Sequence, residues 1–379
     1  MEQLTYFPKR RLLALAAYAA LQSACASTSG TPAPQSTPGG TTTTAPAPAP
    51  VPQVRWPVKT ASHFDLWLHS FAVLTVDTTA IPLFKRGYRD SIATVKNRGN
   101  VLTSLDANRQ TLVGRLTANP ALVQAQFLVF EFASFADLQK ATAIFLQAQG
   151  EPSRATDQAT ASVIARLAPM FPTAADREWL RLFMAGVAEE QSRFYDAEYQ
   201  RVVRARSAVV SAVNDLWQKT YRAKFDRFLN NTGQRSGEIY LSLPLGGEGR
   251  ASTGASNQTV VAVPFPARPV DAVQSILVFA HEVTGNLVGP VVNDNTTPVQ
   301  QREGQMASLV ALGQVHAGLM LLQKIAPELA EPYARYYLAQ GGKNVPSSGA
   351  VDAIRAAFPL PAAITVGLAR QIDIVLAGI

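Results

Sequence analysis

The sequence predicts a mainly α (α+β) protein, with a large helical, bundle-like part and a small β-sheet next to one apolar helix. Three observations carry this prediction. Apolar residues recur at spacings of three and four over most of 61–230 and again over 298–377. Two short segments, 238–245 and 259–265, alternate apolar and polar residues as strands do. The apolar segment 270–287 follows them and is long enough for about five helical turns.

The N-terminus is typical of an exported chain. Lys9, Arg10 and Arg11 precede the apolar stretch 12–21, which is too short to span a bilayer and has the length of a signal-peptide core. Two interpretations of its processing remain open. In the first, residues 24–26 (Ala-Cys-Ala) form an ordinary signal-peptidase site, and the mature protein is secreted.

In the second interpretation, residues 21–25 (Leu-Gln-Ser-Ala-Cys) are similar to a bacterial lipobox, although Gln22 stands where an aliphatic residue is usual. Cys25 is the only cysteine, so it forms no internal disulfide, and lipidation would give it a role. We therefore predict a signal peptide with a lipobox-like end over 1–25 and a membrane anchor at Cys25. By resemblance to Gram-negative lipoproteins, Ala26 in place of Asp implies tethering to the outer membrane, in the periplasm or at the cell surface.

The composition after the signal peptide divides the chain into a linker and a domain. Residues 26–57 are rich in Pro, Thr, Ala and Gly and are predicted to be a disordered Pro/Thr-rich linker. Residues 58–379 are numerous enough for one large core, and we predict a single globular domain there. Within it, a helical part spans 58–232, and 233–379 holds the sheet and the apolar helix.

Charge and histidine content narrow the function. Removal of residues 1–25 lowers the formal net charge from +7 to +5, which is not a nucleic-acid-binding signature over this length, so we expect no nucleic-acid partner. Any metal site must draw on carboxylates and on four histidines, which are His63, His69, His281 and His316.

The apolar periodicity also sets the order of the elements. Gly289-Pro290 is predicted to end the 270–287 helix, and residues 246–258 to be a long loop that joins two strands, as a β-hairpin or as another two-strand element. Glu189, Glu190 and Asp196 are predicted to lie solvated on charged helix faces. The segment 191–230 is predicted to be one long, surface-lying helix or a bent pair. The remaining helices are expected at 61–76, 83–98, 104–117, 120–132, 134–149, 154–168, 174–190, 298–326, 328–340, 350–357 and 362–377.

Residues 281–285 (His-Glu-Val-Thr-Gly) are similar to the zinc-hydrolase helix motif H-E-x-x-H, with Gly285 where the second imidazole stands. With two strands before it and a long helix after it, region 236–326 resembles the zincin metallopeptidases. This resemblance implies a zinc ion, His281 as the first metal ligand and Glu282 as the general base. It also implies that an edge strand binds substrate. Since residues i and i+4 share a helix face, we expect position 285 to point the same way as His281.

Two further ligands would complete such a site. Glu303 lies 22 residues after His281 on the next predicted helix, close to the spacing of the third ligand in glutamate-type zincins. The missing imidazole could come from His69 or His63, which point in different directions on the first helix, so at most one would face the site. We favour His69, because it borders the buried stripe of that helix. His316 lies in an apolar, small-residue segment and is predicted to be a hydrogen-bonded core histidine.

Three hypotheses of function remain open. The first is an exported, lipid-anchored zincin-like metallohydrolase, a peptidase with zinc as cofactor. The second is an inactive zincin-like protein that has lost the metal and binds a peptide or a cell-envelope partner. The third is an unrelated helical envelope protein in which the His-Glu pair is a coincidence, because short motifs are only loosely tied to function.

Overall fold

The computed structural model describes residues 55–75, 79–253 and 258–378, and within these ranges the protein is mainly helical with a small mixed sheet. The predicted fold class, mainly α (α+β), is confirmed. Residues Arg55–Ile379 form one compact unit. The predicted signal peptide, Cys25 and nearly all of the predicted linker lie outside the described residues.

Helices occupy most of the described chain, close to where the apolar periodicity predicts them. Two of the predicted segments contain non-α turns: 120–132 forms a 3₁₀ helix at Pro120–Glu131, and 191–230 includes π-helical turns at Gln191–Tyr195 and Trp217–Tyr221. The α-helices are α1 (Ser62–Leu74), α2 (Tyr88–Arg98), α3 (Ser104–Ala107), α4 (Arg109–Ala118), α5 (Phe135–Gln147), α6 (Gln158–Leu167), α7 (Ala174–Glu190), α8 (Asp196–Ala205), α9 (Ser207–Leu216), α10 (Arg222–Asn231), α11 (Val273–Val283), α12 (Gly285–Asp294), α13 (Pro298–Arg302), α14 (Met306–Ile325), α15 (Ala330–Gln340), α16 (Ala350–Ala357) and α17 (Ala362–Ala377).

The sheet is mixed and contains more than the two predicted strands. Its strands are β1 (Val58–Lys59), β2 (Gly237–Ser242), β3 (Arg250–Thr253) and β4 (Thr259–Pro264), in the spatial order β1-β2-β4-β3. β1 pairs with β2 and β2 pairs with β4 in parallel, whereas β3 is antiparallel to β4.

The segments 238–245 and 259–265 contain two paired strands, as predicted, but the hairpin alternative is wrong, because these strands run parallel, with Ile239 opposite Val261. β3 lies inside the predicted loop and reverses the chain, so it is β3 that pairs with β4 as in a hairpin. Gly237 allows the tight pairing at the start of β2, because a Cβ there would lie 2.4 Å from the Thr259 carbonyl oxygen and 2.5 Å from the Trp56 ring.

Two predicted long helices in the C-terminal part, 270–287 and 298–326, are interrupted. The 270–287 segment breaks at Thr284, where α11 and α12 meet at a bend of 40°. The Thr284 hydroxyl donates to the His281 carbonyl at 2.7 Å and competes with the backbone ladder. Pro290 lies inside α12 and does not end it, contrary to prediction. The 298–326 segment divides into α13 and α14 around Gly304, whose φ of +74° is incompatible with a continuing helix.

The core consists of two hydrophobic clusters. One surrounds β2, β4, α11 and the C-terminal helices, and it also receives α9 through Val213 and α10 through Phe225. The other joins α1, α4, α5 and α7 and includes Trp67 and Phe183. α14 is long and apolar enough to cross a membrane, with a mean hydropathy of 1.4. However, half of it is buried inside the protein, where it packs on α11, α12 and α17 as a core helix does.

Candidate functional site

The His281–Glu282 pair lies on α11, a helix buried between β4 and α14. Every residue from Ser275 to Val283 is buried, because the segment is apolar on all sides apart from the pair itself. His281 is completely enclosed, and Glu282 is 6 % exposed. The first two motif residues thus lie in the protein core beside the sheet, on the helix that the sequence predicts for them.

Two tyrosines of α15 determine the state of His281. The Tyr333 hydroxyl donates to the Val315 carbonyl at 3.0 Å and lies 3.3 Å from His281 Nδ1. Since its proton is already engaged, Tyr333 accepts a hydrogen bond from Nδ1–H, and the lone pair of the imidazole is on Nε2. Burial lowers the pKa of His281 to about 3, so the ring is neutral at pH 7. Tyr337 stacks on it, with ring centroids 4.8 Å apart.

His281 Nε2 is a buried acceptor with no hydrogen-bond partner among the described residues. The nearest ionisable oxygen is Glu282 Oε1, at 3.9 Å. The hydroxyl of Tyr337 is also buried and has no hydrogen-bond partner within the described ranges. Such atoms are rare in protein interiors.

Glu282 joins α11 to the edge of the sheet. Its Oε1 accepts from the Gly249 amide at 3.0 Å, and its Oε2 accepts from the Ala251 amide at 3.2 Å. Burial raises the pKa of the Glu282 carboxyl, and the two amides and the charge of Arg250 oppose that rise. Gly249 and Ala251 are two residues apart, so their amides point to one side of β3, and Glu282 occupies that side.

Gly285 does not face a metal site. Gly285 is the first residue of α12, because α11 ends at Val283. A Cβ at position 285 would meet the Gln314 side chain of α14 at 3.5 Å, an ordinary contact distance. Gln314 in turn lies 3.4 Å from the His281 carbonyl oxygen. The side-chain amide of Gln314 therefore occupies the space beyond the glycine.

The structure does not bring His69 to His281. His69 is enclosed in the N-terminal hydrophobic cluster, and both of its ring nitrogens are engaged. Nε2 lies 3.0 Å from Glu190 Oε1, and Nδ1 lies 3.0 Å from the Tyr88 hydroxyl. Burial lowers the pKa of His69, against the hydrogen bond and charge of Glu190. A neutral ring that donates to Glu190 and accepts from Tyr88 satisfies all three groups.

Glu190 is at the centre of this second polar cluster, and its predicted solvated position is wrong because the side chain is fully buried. Lys96 Nζ donates to its oxygens at 3.0 and 2.8 Å, and the Thr103 hydroxyl donates at 2.5 Å. Burial tends to raise the pKa of Glu190, but the hydrogen bonds from His69, Lys96 and Thr103 lower it to about 2. The cluster therefore contains a buried ion pair.

The remaining candidate residues, Glu303, His316 and His63, each have ordinary hydrogen-bond partners. Glu303 is exposed at the end of α13, where it accepts from the Gln305 side chain at 2.8 Å. His316 is buried and bonded to the Phe358 carbonyl at 2.6 Å, which confirms its predicted role as a core histidine. His63 is half-buried, with Nε2 3.2 Å from the Phe132 carbonyl oxygen.

These residues do not fit a catalytic zinc centre, which needs three protein ligands and an open fourth position. Nε2 of His281 offers a suitable lone pair, but both oxygens of Glu282 accept backbone amides. Within 55–75, 79–253 and 258–378, no group of three or more His, Cys, Asp or Glu side chains is arranged to hold a metal ion.

A third polar group lies at the carboxyl ends of the parallel strands β2 and β4. Asp65 of α1 is 1 % exposed and accepts from the Leu243 amide at 3.1 and 3.2 Å. Burial raises its pKa to about 7. Lys85 Nζ donates to the carbonyls of Leu243 and Phe265 at 2.8 and 3.1 Å, and burial, with the charge of Arg206, lowers its pKa to about 8.

Sequence reasoning did not identify Tyr333, Tyr337, Asp65 or Lys85. The two tyrosines are four residues apart on a predicted helix, a spacing that puts both on one face, so their pairing could have been predicted. Their contact with His281 depends on how α15 packs on α11, and Asp65 and Lys85 meet strands about 180 residues away. No pattern in the chain signals those contacts.

No protein-family model, curated protein or solved structure matches this chain. The fold and the three polar groups define a class only: a mainly helical protein with a small mixed sheet and a buried His-Glu pair.

Proposed function

We propose that this chain is an exported, lipid-anchored, zincin-like protein that acts by binding a peptide or cell-envelope partner, without metal-dependent hydrolysis. The observation that carries this proposal is the pairing of both Glu282 oxygens with the amides of Gly249 and Ala251. A general base needs an oxygen within reach of the water that it deprotonates. In this arrangement both Glu282 oxygens are engaged at the join between α11 and β3, which supports a structural role for this carboxylate.

The zincin-like part of the proposal is supported by the position of the sheet. β4 packs directly against α11, and β3 forms an antiparallel edge beside the motif pair. A small sheet beside the motif helix, with an edge strand at the site, is the arrangement that the resemblance implies. Had 238–264 packed elsewhere, that resemblance would have failed.

The decisive experiment measures metal and turnover together. The mature protein, purified from membranes without chelators, is analysed for bound metal and incubated with a mixed peptide library. We expect less than stoichiometric zinc and no hydrolysis above that of a Glu282→Gln variant. Stoichiometric zinc that is lost in His281→Phe, together with hydrolysis that is lost in Glu282→Gln, would overturn the proposal.

A second candidate, a zinc metallopeptidase, is favoured by one observation. The hydrogen bond from His281 Nδ1 to Tyr333 fixes the tautomer of the imidazole and leaves the lone pair on Nε2. Proteins orient metal-binding imidazoles in the same way. This candidate requires Glu282 to leave the β3 amides and further ligands to arrive. Glu303→Gln tests one of them: if Glu303 is a ligand, the variant loses zinc, whereas under the binding proposal it behaves like the wild type.

The membrane anchor and the location at the outer membrane belong to the same proposal. They are supported by the signal-peptide pattern, the single Cys25 and the Pro/Thr-rich composition of 26–57. A tether of that kind would hold the compact unit Arg55–Ile379 away from the membrane surface. The modest net positive charge is not a nucleic-acid-binding signature, so the proposal includes no nucleic-acid partner.

A further inference from the structure

Trp56 has a backbone conformation that bulky residues rarely adopt. Its φ is +55°, in the left-handed region, where a large side chain is strained. It also precedes Pro57, and a proline ring favours an extended conformation for the residue before it. Such strain persists only where the surrounding structure holds the residue in place, and it is concentrated at functional sites and in segments that switch.

Burial of the Trp56 ring holds this conformation. The ring is 2 % exposed and packs edge-on against Phe279, with ring centroids 5.3 Å apart. It also lies against Gly237, where a Cβ would come within 2.5 Å of it, so only glycine leaves room for the ring. Phe279 lies on α11, two residues before His281. The strained residue is therefore in direct contact with the helix that carries the His281–Glu282 pair.

Two side chains hold the backbone at Trp56. Trp217 Nε1 donates to the Trp56 carbonyl at 3.0 Å. The Gln218 side-chain amide donates to the same carbonyl at 3.0 Å and to the Arg55 carbonyl at 3.1 Å. The Trp217 ring also contacts Phe279, with ring centroids 4.7 Å apart. Trp217 thus joins the N-terminal segment to the same aromatic residue of α11.

Residues 55–59, which we call the N-terminal latch, have a short attachment to the sheet. β1 is an edge strand of two residues, paired with β2. The Ile239 amide donates to the Pro57 carbonyl at 3.0 Å, and Lys59 forms a surface ion pair with Glu238, which contributes little to stability. Two residues connect β1 to α1, so the latch can leave the sheet by rotation there while α1 stays in place.

We propose that the N-terminal latch is releasable and that it controls how tightly helix α11 is held. With the latch closed, the Trp56 ring supports Phe279 and keeps α11 in place against the sheet. With the latch open, the strain at Trp56 is relieved and Phe279 loses that support. The hydrogen bonds of Glu282 then open more often, because the same helix carries them. This proposal concerns the stability of α11 and does not depend on the proposed partner binding.

Hydrogen exchange of the mature protein, followed by mass spectrometry, tests the proposal. In the wild type we expect β1 amides to exchange through a local opening, faster than the central amides of α14, which report global unfolding. Gln218→Ala removes two hydrogen bonds to the latch and leaves Trp56 in place. It should speed exchange of the latch by about fivefold, and exchange of α11 by the same factor if α11 opens with the latch.

Lys219→Ala is the matched control for the Gln218 variant. Lys219 is at the next position, is exposed and pairs with Asp215, so its removal should leave exchange of the latch and of α11 unchanged. Exchange of the wild-type latch only through global unfolding would overturn the proposal. Faster exchange of the latch in Gln218→Ala with no change in α11 would also overturn it, because the latch would then open without affecting that helix.

Trp56→Leu tests the support of Phe279 directly. We expect exchange in α11 to rise at least about tenfold more than exchange in α7. Trp179→Leu is the control, because Trp179 is 3 % exposed, donates to the Leu112 carbonyl at 3.1 Å and belongs to the other hydrophobic cluster. It should speed exchange in α7 more than in α11. Equal effects of Trp56→Leu on the two helices would contradict the proposal, and Gln218→Ala decides it if Trp56→Leu does not fold.

Discussion

Glu282 Oε1 accepts a hydrogen bond from the Gly249 amide at 3.0 Å, and this contact links the motif helix α11 to the residue just before the edge strand β3. A Cβ on Gly249 would lie 2.3 Å from the Ala262 carbonyl oxygen and 3.1 Å from Glu282 Cγ. Only glycine permits this approach, and with it the burial of the carboxyl against the strand.

Removal of the Glu282 carboxyl should lower the free energy of unfolding of the protein. Glu282→Ala leaves the buried amides of Gly249 and Ala251 without acceptors, and we expect a loss of about 2–4 kcal/mol in the free energy of unfolding. Glu282→Gln retains one acceptor and should lose about 1–2 kcal/mol. Urea unfolding measures both. The control is Glu303→Gln at an exposed position, which should stay within about 0.5 kcal/mol of the wild type.

The imidazole nitrogens of His281 should be dispensable for stability. His281→Phe keeps the stack on Tyr337, and the Tyr333 hydroxyl can still donate to the Val315 carbonyl. We expect the free energy of unfolding at pH 7.5 to change by less than about 1.5 kcal/mol, as for other shape-conserving core replacements. His281→Ala leaves a cavity and should cost about 2–4 kcal/mol. If the Phe variant is as unstable as the Ala variant, the ring nitrogens of His281 make a stabilising interaction, and the prediction is wrong.

Asp65 should make the protein less stable as the pH rises. Burial raises its pKa from 3.8 to about 7, so the folded state binds the proton more tightly than the unfolded state does. The resulting stability is fully present below pH 3.8 and is lost as the pH rises through about 7. Asp65→Asn is always neutral, so its stability relative to the wild type should increase by up to about 1.4 kcal/mol per pH unit between pH 4 and 7.

Asp157→Asn supplies a control of opposite sign in the same pH series of unfolding curves. The Thr160 amide donates to Asp157 at the start of α6, and this hydrogen bond lowers the Asp157 pKa. The stability from Asp157 is therefore present above the unfolded pKa and lost as the pH falls. The free energy of unfolding of the Asp157 variant should therefore fall relative to that of the wild type as the pH rises. If both variants drift in the same direction, the assignment of the Asp65 shift is wrong.

Removal of one charged partner from the buried Lys96–Glu190 pair should lower the free energy of unfolding strongly. Lys96→Met leaves the enclosed Glu190 carboxylate without its cation, and we expect a loss of about 3–5 kcal/mol in thermal or urea unfolding. The double variant Lys96→Met/Glu190→Gln should recover part of that loss, because no buried charge is then left uncompensated. Arg181→Met, which breaks an exposed pair with Glu178, should leave the unfolding midpoint close to that of the wild type.

Lipidation of Cys25 predicts how the protein divides between cell fractions. Cys25→Ser removes the thiol that carries the lipid, so we expect the variant chain to leave the outer-membrane fraction and appear in a soluble one. Immunoblots of separated fractions measure this, with Ser23→Ala as a control that leaves the cysteine in place. Membrane retention of the Cys25 variant at the wild-type level would contradict the lipid anchor.

The sequence predicted the secondary structure better than the contacts between elements. Periodicity identified almost every helix, because a helix that buries one face repeats its apolar residues every three or four positions. It could not reveal the break at Thr284, which depends on one hydroxyl bonding to the His281 carbonyl, or the parallel pairing of β2 with β4. Short apolar runs do not encode the direction of their neighbours.

The candidate sites show the same division. The sequence by itself determined the fold class, the scarcity of histidine and cysteine, and the place of His281 and Glu282 on a buried helix beside a sheet. Only the tertiary structure decided the partners: Glu282 pairs with β3, and His69 pairs with Glu190. The physical reason is that these hydrogen bonds join residues 31 to 121 positions apart. Local patterns determine which faces are buried, and the packing of those faces decides which polar groups meet.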